Sequence, residues 1–196
     1  NLSFEIAYFS YTNRCAQLKK RASLKKIILH PLKGIELGND ETIEFGLSKT
    51  ELLKKLGQPT SEFEKQLFYD HLELRIDFDD LEKIEFIEFI YGPFPEKTEI
   101  ELYGINPFDT LSDNLIETLT KQNKGKLDDS EAPYCYAFHE TSIGIFRDSC
   151  ESDVNELIQE MKANGENPEQ EDWVLEDKQK AKYFWTIGIG KKDYYK

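Results

Sequence analysis

The chain has 196 residues, of which 39% are hydrophobic and 13% aromatic, enough apolar material for one large domain or two small ones and too much for a disordered chain. Its formal net charge of −13 is unevenly placed: residues 1–33 hold seven Lys and Arg against the single acid Glu5, and the remainder holds 18 bases against 37 acids. A field of that sign repels nucleic-acid phosphates and anionic membranes and attracts basic proteins, although solubility alone accounts for it equally well.

The first predicted element is a strand over 2–9, where Leu2, Phe4, Ile6 and Tyr8 alternate with Ser3, Glu5 and Ala7. A basic segment over 13–26 follows; with no interleaved aromatics it reads as a solvated face, or a patch that meets the acidic half, and not as a nucleic-acid site. Lys25 to His30 forms a strand ended by Pro31. Gly34 and Gly38 bracket a short strand with a return over 42–45. Ser48 and Glu51 then make the capping box of a helix with Leu52, Leu53 and Leu56 inward, which Gly57 ends and Pro59 keeps closed. Strands are predicted over 66–71, 72–78 and 83–90; in the second, Leu72, Leu74, Ile76 and Phe78 alternate with Glu73, Arg75 and Asp77, so one face is wet.

Gly92-Pro93-Phe94-Pro95 is strong punctuation, and the order of events then recurs. A strand over 98–103, a turn at Asn106-Pro107 and a cap at Ser112 precede a helix over 113–122 with Leu115, Ile116 and Leu119 inward. Strands over 134–138 and 141–146 follow, then a helix over 152–163, an acidic loop, and a last strand over 183–189. Shared order and similar element lengths predict a tandem repeat. The expected organisation is an N-terminal strand and basic segment (1–33), a first ββαβββ-like unit (34–92), and a second, degenerate unit (96–196) carrying the inserted helix and acidic loop. The expected class is α+β, each unit placing one or two helices on a mainly antiparallel sheet.

The stretch from Phe45 through Gly46, Leu47, Ser48 and Glu51 to Gly57, Gln58 and Pro59, continued by Phe68-Tyr69 and the strand to Phe78-Asp79, resembles the SmpA/OmlA and β-lactamase-inhibitor-protein-like fold. The resemblance covers about a third of the chain well; its motif encodes the entry and exit of a helix and no chemistry. It implies a curved antiparallel sheet after the helix, and a tandem of two units is what the inhibitor members have. By analogy of size and acidity, bacterial toxin-immunity proteins are a further comparison.

Cys15, Cys135 and Cys150 are odd in number and widely spaced, which suits neither a disulfide framework nor a zinc site and predicts reduced thiols in a cytoplasmic protein. No apolar run approaches the roughly 18 residues of a membrane span, and the first residues lack the basic start and cleavage pattern of a secretory leader. Cys135 and His139 could form a nucleophile and base, but four residues along a strand separate them by about 13 Å, favouring a buried thiol and a strand-end histidine. Asp77, Asp79 and Asp80 offer oxygen ligands without the Gly and Glu that a calcium loop requires, so a hairpin turn is the better account. The glycines of Ile187-Gly188-Ile189-Gly190 precede no helix, so they are expected to allow close backbone approach and not to cradle phosphate. No catalytic set, cofactor or metal site is expected.

The acidic loop is different. Its six acids, Glu166, Glu169, Glu171, Asp172, Glu176 and Asp177, surround Trp173, Val174 and Leu175. Trp173 reads either as an aromatic anchor of an interface rimmed by charge or as a pin holding the loop to the core. The favoured expectation is a non-enzymatic acidic inhibitor, an immunity protein neutralising a basic bacterial toxin domain such as a nuclease through these residues. It would bind neither nucleic acid nor membrane. The alternatives are an enzyme with a carboxylate-lined cleft between the two units and an assembly or scaffold component; the sequence leaves the oligomeric state open.

Overall fold

Strand alternation in this chain is regular enough that neighbouring strands align their apolar residues into rows. The computed structural model describes residues 24–38 and 41–196. In chain order the elements are β1 (Lys25–His30), β2 (Gly34–Leu37), β3 (Glu41–Glu44), α1 (Lys49–Leu56), β4 (Ser61–Phe63), β5 (Gln66–Tyr69), β6 (Leu74–Phe78), β7 (Ile84–Phe89), β8 (Thr98–Glu101) and α2 (Ser112–Asn123). There follow β9 (Leu127–Asp128), β10 (Cys135–Phe138), β11 (Ile143–Phe146), α3 (Glu151–Ala163), a 3-10 turn (Pro168–Gln170), α4 (Asp172–Lys180) and β12 (Thr186–Gly190). The protein is α+β with mainly antiparallel sheets. The strand expected over 2–9 and most of the basic segment lie outside the described residues.

Eight strands form one sheet in the order β4-β5-β6-β7-β12-β11-β10-β9. A helix followed by four sheet strands thus occurs twice, α1 with β4 to β7 and α2 with β9 to β12, and the last strands of the two sets meet in the centre. The pairing of β7 with β12 makes the sheet continuous across the two predicted units. One row of side chains crosses it as Leu67, Ile76, Ile87, Ile189, Ile143, Phe138 and Leu127, and a parallel row runs Tyr69, Leu74, Phe89, Ile187, Ile145 and Tyr136. These rows face Leu52 of α1 and Leu115 and Leu119 of α2, all fully buried. The row between them belongs to the opposite, helix-free face: Ser61, Phe68, Arg75, Glu88, Gly188, Gly144, Ala137 and Asp128.

A second sheet, ordered β3-β2-β1-β8, gathers strands from all three predicted segments, and its β1–β8 pair is parallel. Ile27, Leu29, Ile35, Ile43 and Ile100 on its inner face join the same core. Gly92 to Pro95 carries the chain from one sheet to the other. The sheets are tied by Glu73, a residue at φ 55° that is 97% buried. Its carboxylate accepts the backbone N–H groups of Glu96 (2.8 Å), Lys97 (3.1 Å) and Thr98 (2.9 Å) and the Thr98 hydroxyl (2.7 Å).

The two helices start by different means. Ser48 and Glu51 cap each other's backbone at α1 as expected, while Gly57 at φ 75° ends it. At α2 the expected serine cap is not formed: Leu111 holds the capping position and Ser112 is the first helical residue. The Ser112 N–H donates to the Lys182 carbonyl at 2.9 Å, so a tertiary contact replaces the local one. Ser48→Ala should therefore cost about 1 kcal/mol and Ser112→Ala a few tenths, read from urea midpoints.

Candidate partner-binding surface

The inserted segment is organised as a helical hairpin and not as a helix plus an acidic loop. Cys150 precedes α3, and its N–H donates to Asp153 Oδ2 at 2.7 Å. Val154 and Met161, seven apart, are the buried residues of α3. Gly165 at φ 83° turns the chain, Pro168 is buried under the 3-10 turn, and α4 returns along α3. Asp172 in the first turn of α4 and Lys178 and Lys180 in its last suit the helix dipole, so the acids that suggested a loop instead favour the helix start.

Trp173 does not pin this segment; the neighbouring Val174, 1% exposed, does so together with Ala181 at 0%. Trp173 and Leu175 flank Val174 and stay 47% and 46% exposed. A single buried residue within α4 suffices because another anchor, Arg147, follows β11. Arg147, 6% exposed, donates from Nε to the Pro133 carbonyl at 2.9 Å and from Nη1 to the Ala181 carbonyl at 3.2 Å, and its guanidinium lies 4.9 Å from the Phe184 ring centre. It thus clamps the end of α4. Arg147→Met should speed amide exchange across 151–180 at least tenfold (order of magnitude) while β5–β7 amides stay protected, as hydrogen exchange by mass spectrometry would show.

The six acids named from the sequence are exposed, apart from Asp177, which is half-buried. Glu169 pairs with Lys162 at 3.3 Å and Glu176 with Lys180 at 2.6 Å. Among the described residues, Glu166, Glu171, Asp172 and Asp177 face no cation in an ion pair. Residues 148–180 carry eleven acids against the three bases Lys162, Lys178 and Lys180, and up to Asp177 the only base is Lys162, so the hairpin is strongly acidic.

At the foot of the hairpin, Asp153 also accepts the Tyr134 hydroxyl at 2.9 Å. The Cys150 N–H, followed by its thiol, holds this carboxyl below the usual aspartate value of 3.8. A lowered folded-state pKa contributes stability that is full above the unfolded value and is lost as pH falls through the folded one. Asp153→Asn should therefore be less stable than the parent at pH 7, with the gap closing below about pH 4 in urea melts.

The other candidates are taken apart by the fold. Cys135 opens β10 and His139 follows its last residue, and burial pushes the Cys135 thiol up, away from the thiolate a nucleophile needs. His139 is buried with Nε2 unpartnered among the described residues. Asp77 holds Arg75 and Gln66, Asp80 pairs with Lys65, and Asp79 accepts the N–H groups of Leu81 and Lys83, each at 3.0 Å, in the β6–β7 turn. Among the described residues no group of His, Cys, Asp and Glu is arranged to hold a metal ion, and no helix is long and apolar enough to cross a membrane. Comparison with known proteins finds no family model, curated relative or solved structure that matches this chain.

Proposed function

We propose that this chain is a binding protein that neutralises a basic protein partner, a bacterial toxin domain such as a nuclease, through the outward side of the α3–α4 hairpin. The observation that carries the reading is the exposure of Trp173 and Leu175 on a helical hairpin whose eleven acids, over residues 148–180, meet only three lysines. Aromatic anchors ringed by charge are the usual source of binding energy in protein interfaces, and uncompensated charge raises the rate of encounter with a partner of opposite sign. The α4 backbone is fixed by Val174 and Arg147, so both exposed side chains are presented with little ordering left to do. The resemblance of residues 45–59 to inhibitor-type proteins points the same way.

The test is association of the purified chain with the product of the neighbouring gene, followed across salt. A complex whose association rate falls roughly tenfold or more between 50 and 500 mM salt, with its dissociation rate raised by Trp173→Ala, is the expected result. Absence of a complex at 50 mM salt would overturn the reading.

A further inference from the structure

The helix-free face of the eight-stranded sheet is built unequally across its centre. In the middle row, β6 and β7 contribute Arg75 and Glu88, whereas β12, β11 and β10 contribute Gly188, Gly144 and Ala137. Half of the face is therefore a trough with a backbone floor. Residues 191–196 lie in it. A Cβ on Gly144 would stand 2.0 Å from the Tyr195 hydroxyl oxygen, and one on Gly188 would stand 2.2 Å from Phe86 Cζ. Tyr194 stacks on Phe86 with ring centres 4.5 Å apart and planes 5° from parallel, and Tyr195 meets Tyr194 edge-on at 5.0 Å. Phe86, on the helix-free face, is only 4% exposed beneath them.

Two features distinguish this occupant from an ordinary part of the fold. Glycine inside a strand weakens it, and side chains on β11 and β12 would cover the face more cheaply than a separate segment does. Residues 193–196 also add no strand to the sheet. Past Lys191, the backbone hydrogen bonds run within the turn, from Tyr194 N to the Lys191 carbonyl at 3.1 Å and from Lys196 N to the Asp193 carbonyl at 3.2 Å. Its first residue is tied to the sheet, the Lys191 N–H donating to the Glu85 carbonyl at 2.8 Å and the Ser142 hydroxyl to the Lys191 carbonyl at 2.8 Å, while Lys191 Nζ lies 3.1 Å from both Asp79 and Glu85; beyond Lys191 the segment is held to the sheet by aromatic contact. The segment carries Lys191, Lys192 and Lys196 against Asp193, and the rim opposite it carries Asp77, Asp79, Glu85 and Glu88 against Arg75. A basic, doubly aromatic strap thus sits in an acidic groove with a glycine floor.

We propose that this groove is a docking site for a basic segment of a protein partner carrying adjacent aromatic side chains, and that residues 191–196 occupy it in the free protein as an intramolecular competitor. The site is separate from the α3–α4 hairpin, and the inference shares with the function proposed above only the expectation of a basic partner. A tethered competitor acts at an effective concentration near the millimolar range, so the groove is masked until the strap is weakened or outcompeted.

The probe is a fluorescein-labelled peptide of sequence Lys-Lys-Asp-Tyr-Tyr-Lys, titrated by anisotropy into the full chain and into the full chain carrying Tyr194→Ser and Tyr195→Ser. The weakened-strap variant should bind at least tenfold tighter than the parent. That binding should vanish when Gly144→Val fills the floor, survive Trp173→Ala, and be absent for a peptide with glutamates in place of the lysines. Equal affinity for parent and variant, indifference to Gly144→Val, or no binding to the folded variant overturns the proposal while leaving the hairpin reading untouched. Should the variant lose its cooperative melt, the parent is titrated with unlabelled peptide: displaced Tyr194 and Tyr195 ring resonances support the groove, and unmoved ones overturn it.

Discussion

Glu73→Ala is expected to cost roughly 4 kcal/mol of folding stability, because three backbone N–H groups and a hydroxyl lose their acceptor inside the protein. In a chain of this size that lowers the melting midpoint by about 8–16 °C. The donors sit at the entry to β8 and the acceptor at the entry to β6, so the loss falls on the join between the two sheets. Glu73→Gln should recover only part of the deficit, since its amide NH2 turns a donor towards donors. Glu73→Gly separates the two contributions: at φ 55° it relieves about 1 kcal/mol of backbone strain that alanine keeps. Calorimetry of the three variants should rank them Ala least stable, then Gly, then Gln. If Ala and Gln melt together within a degree or two of the parent, the carboxylate is not the tie described above.

The second large effect separates two neighbouring residues on α4. Trp173→Ala should leave the melting midpoint within about 2 °C of the parent, as its ring is half in solvent, and should weaken the complex with the proposed basic partner by about 2 kcal/mol, roughly thirtyfold. Val174→Ala should do the reverse, costing about 2 kcal/mol of stability for the buried methyls removed and changing affinity only as far as α4 loosens. Chemical melts and surface-plasmon titrations of the two variants check this. A Trp173→Ala chain that binds with unaltered affinity places the interface elsewhere.

What could be read from the sequence was what neighbouring residues decide among themselves. Ser48, Glu51, Gly57 and Pro59 fixed α1 because capping is a matter of three or four residues. The start of α2 shifted because its partner, the Lys182 carbonyl, is seventy residues away. α4 went unseen because its buried stripe is Val174 alone within the helix, and six acids outweigh one valine in any window. β4 and β9, three and two residues long, carry no period to detect; they exist because longer strands beside them offer a ladder. Trp173 invited assignment to the core by size, yet which residue of Trp173-Val174-Leu175 turns inward depends on how α4 lies on the sheet. The glycines of β12 were expected to allow close backbone approach; it is the side chains of Phe86 and Tyr194 that lie over Gly188 and Gly190, and the alignment of Gly188 with Gly144 appears only in the register.

The meeting of β7 with β12 at the centre of the large sheet also sets a schedule for folding. Roughly a hundred residues separate the two strands in the chain, so during synthesis the apolar edge of β7, with Ile87 and Phe89, waits about 5–20 s for its partner at ordinary translation rates. A set of strands complete through β7 offers an open edge to other nascent chains over that interval. Pairings so distant in sequence also place the protein among slow folders. Yield in an expression host should therefore depend on chaperone supply during that interval.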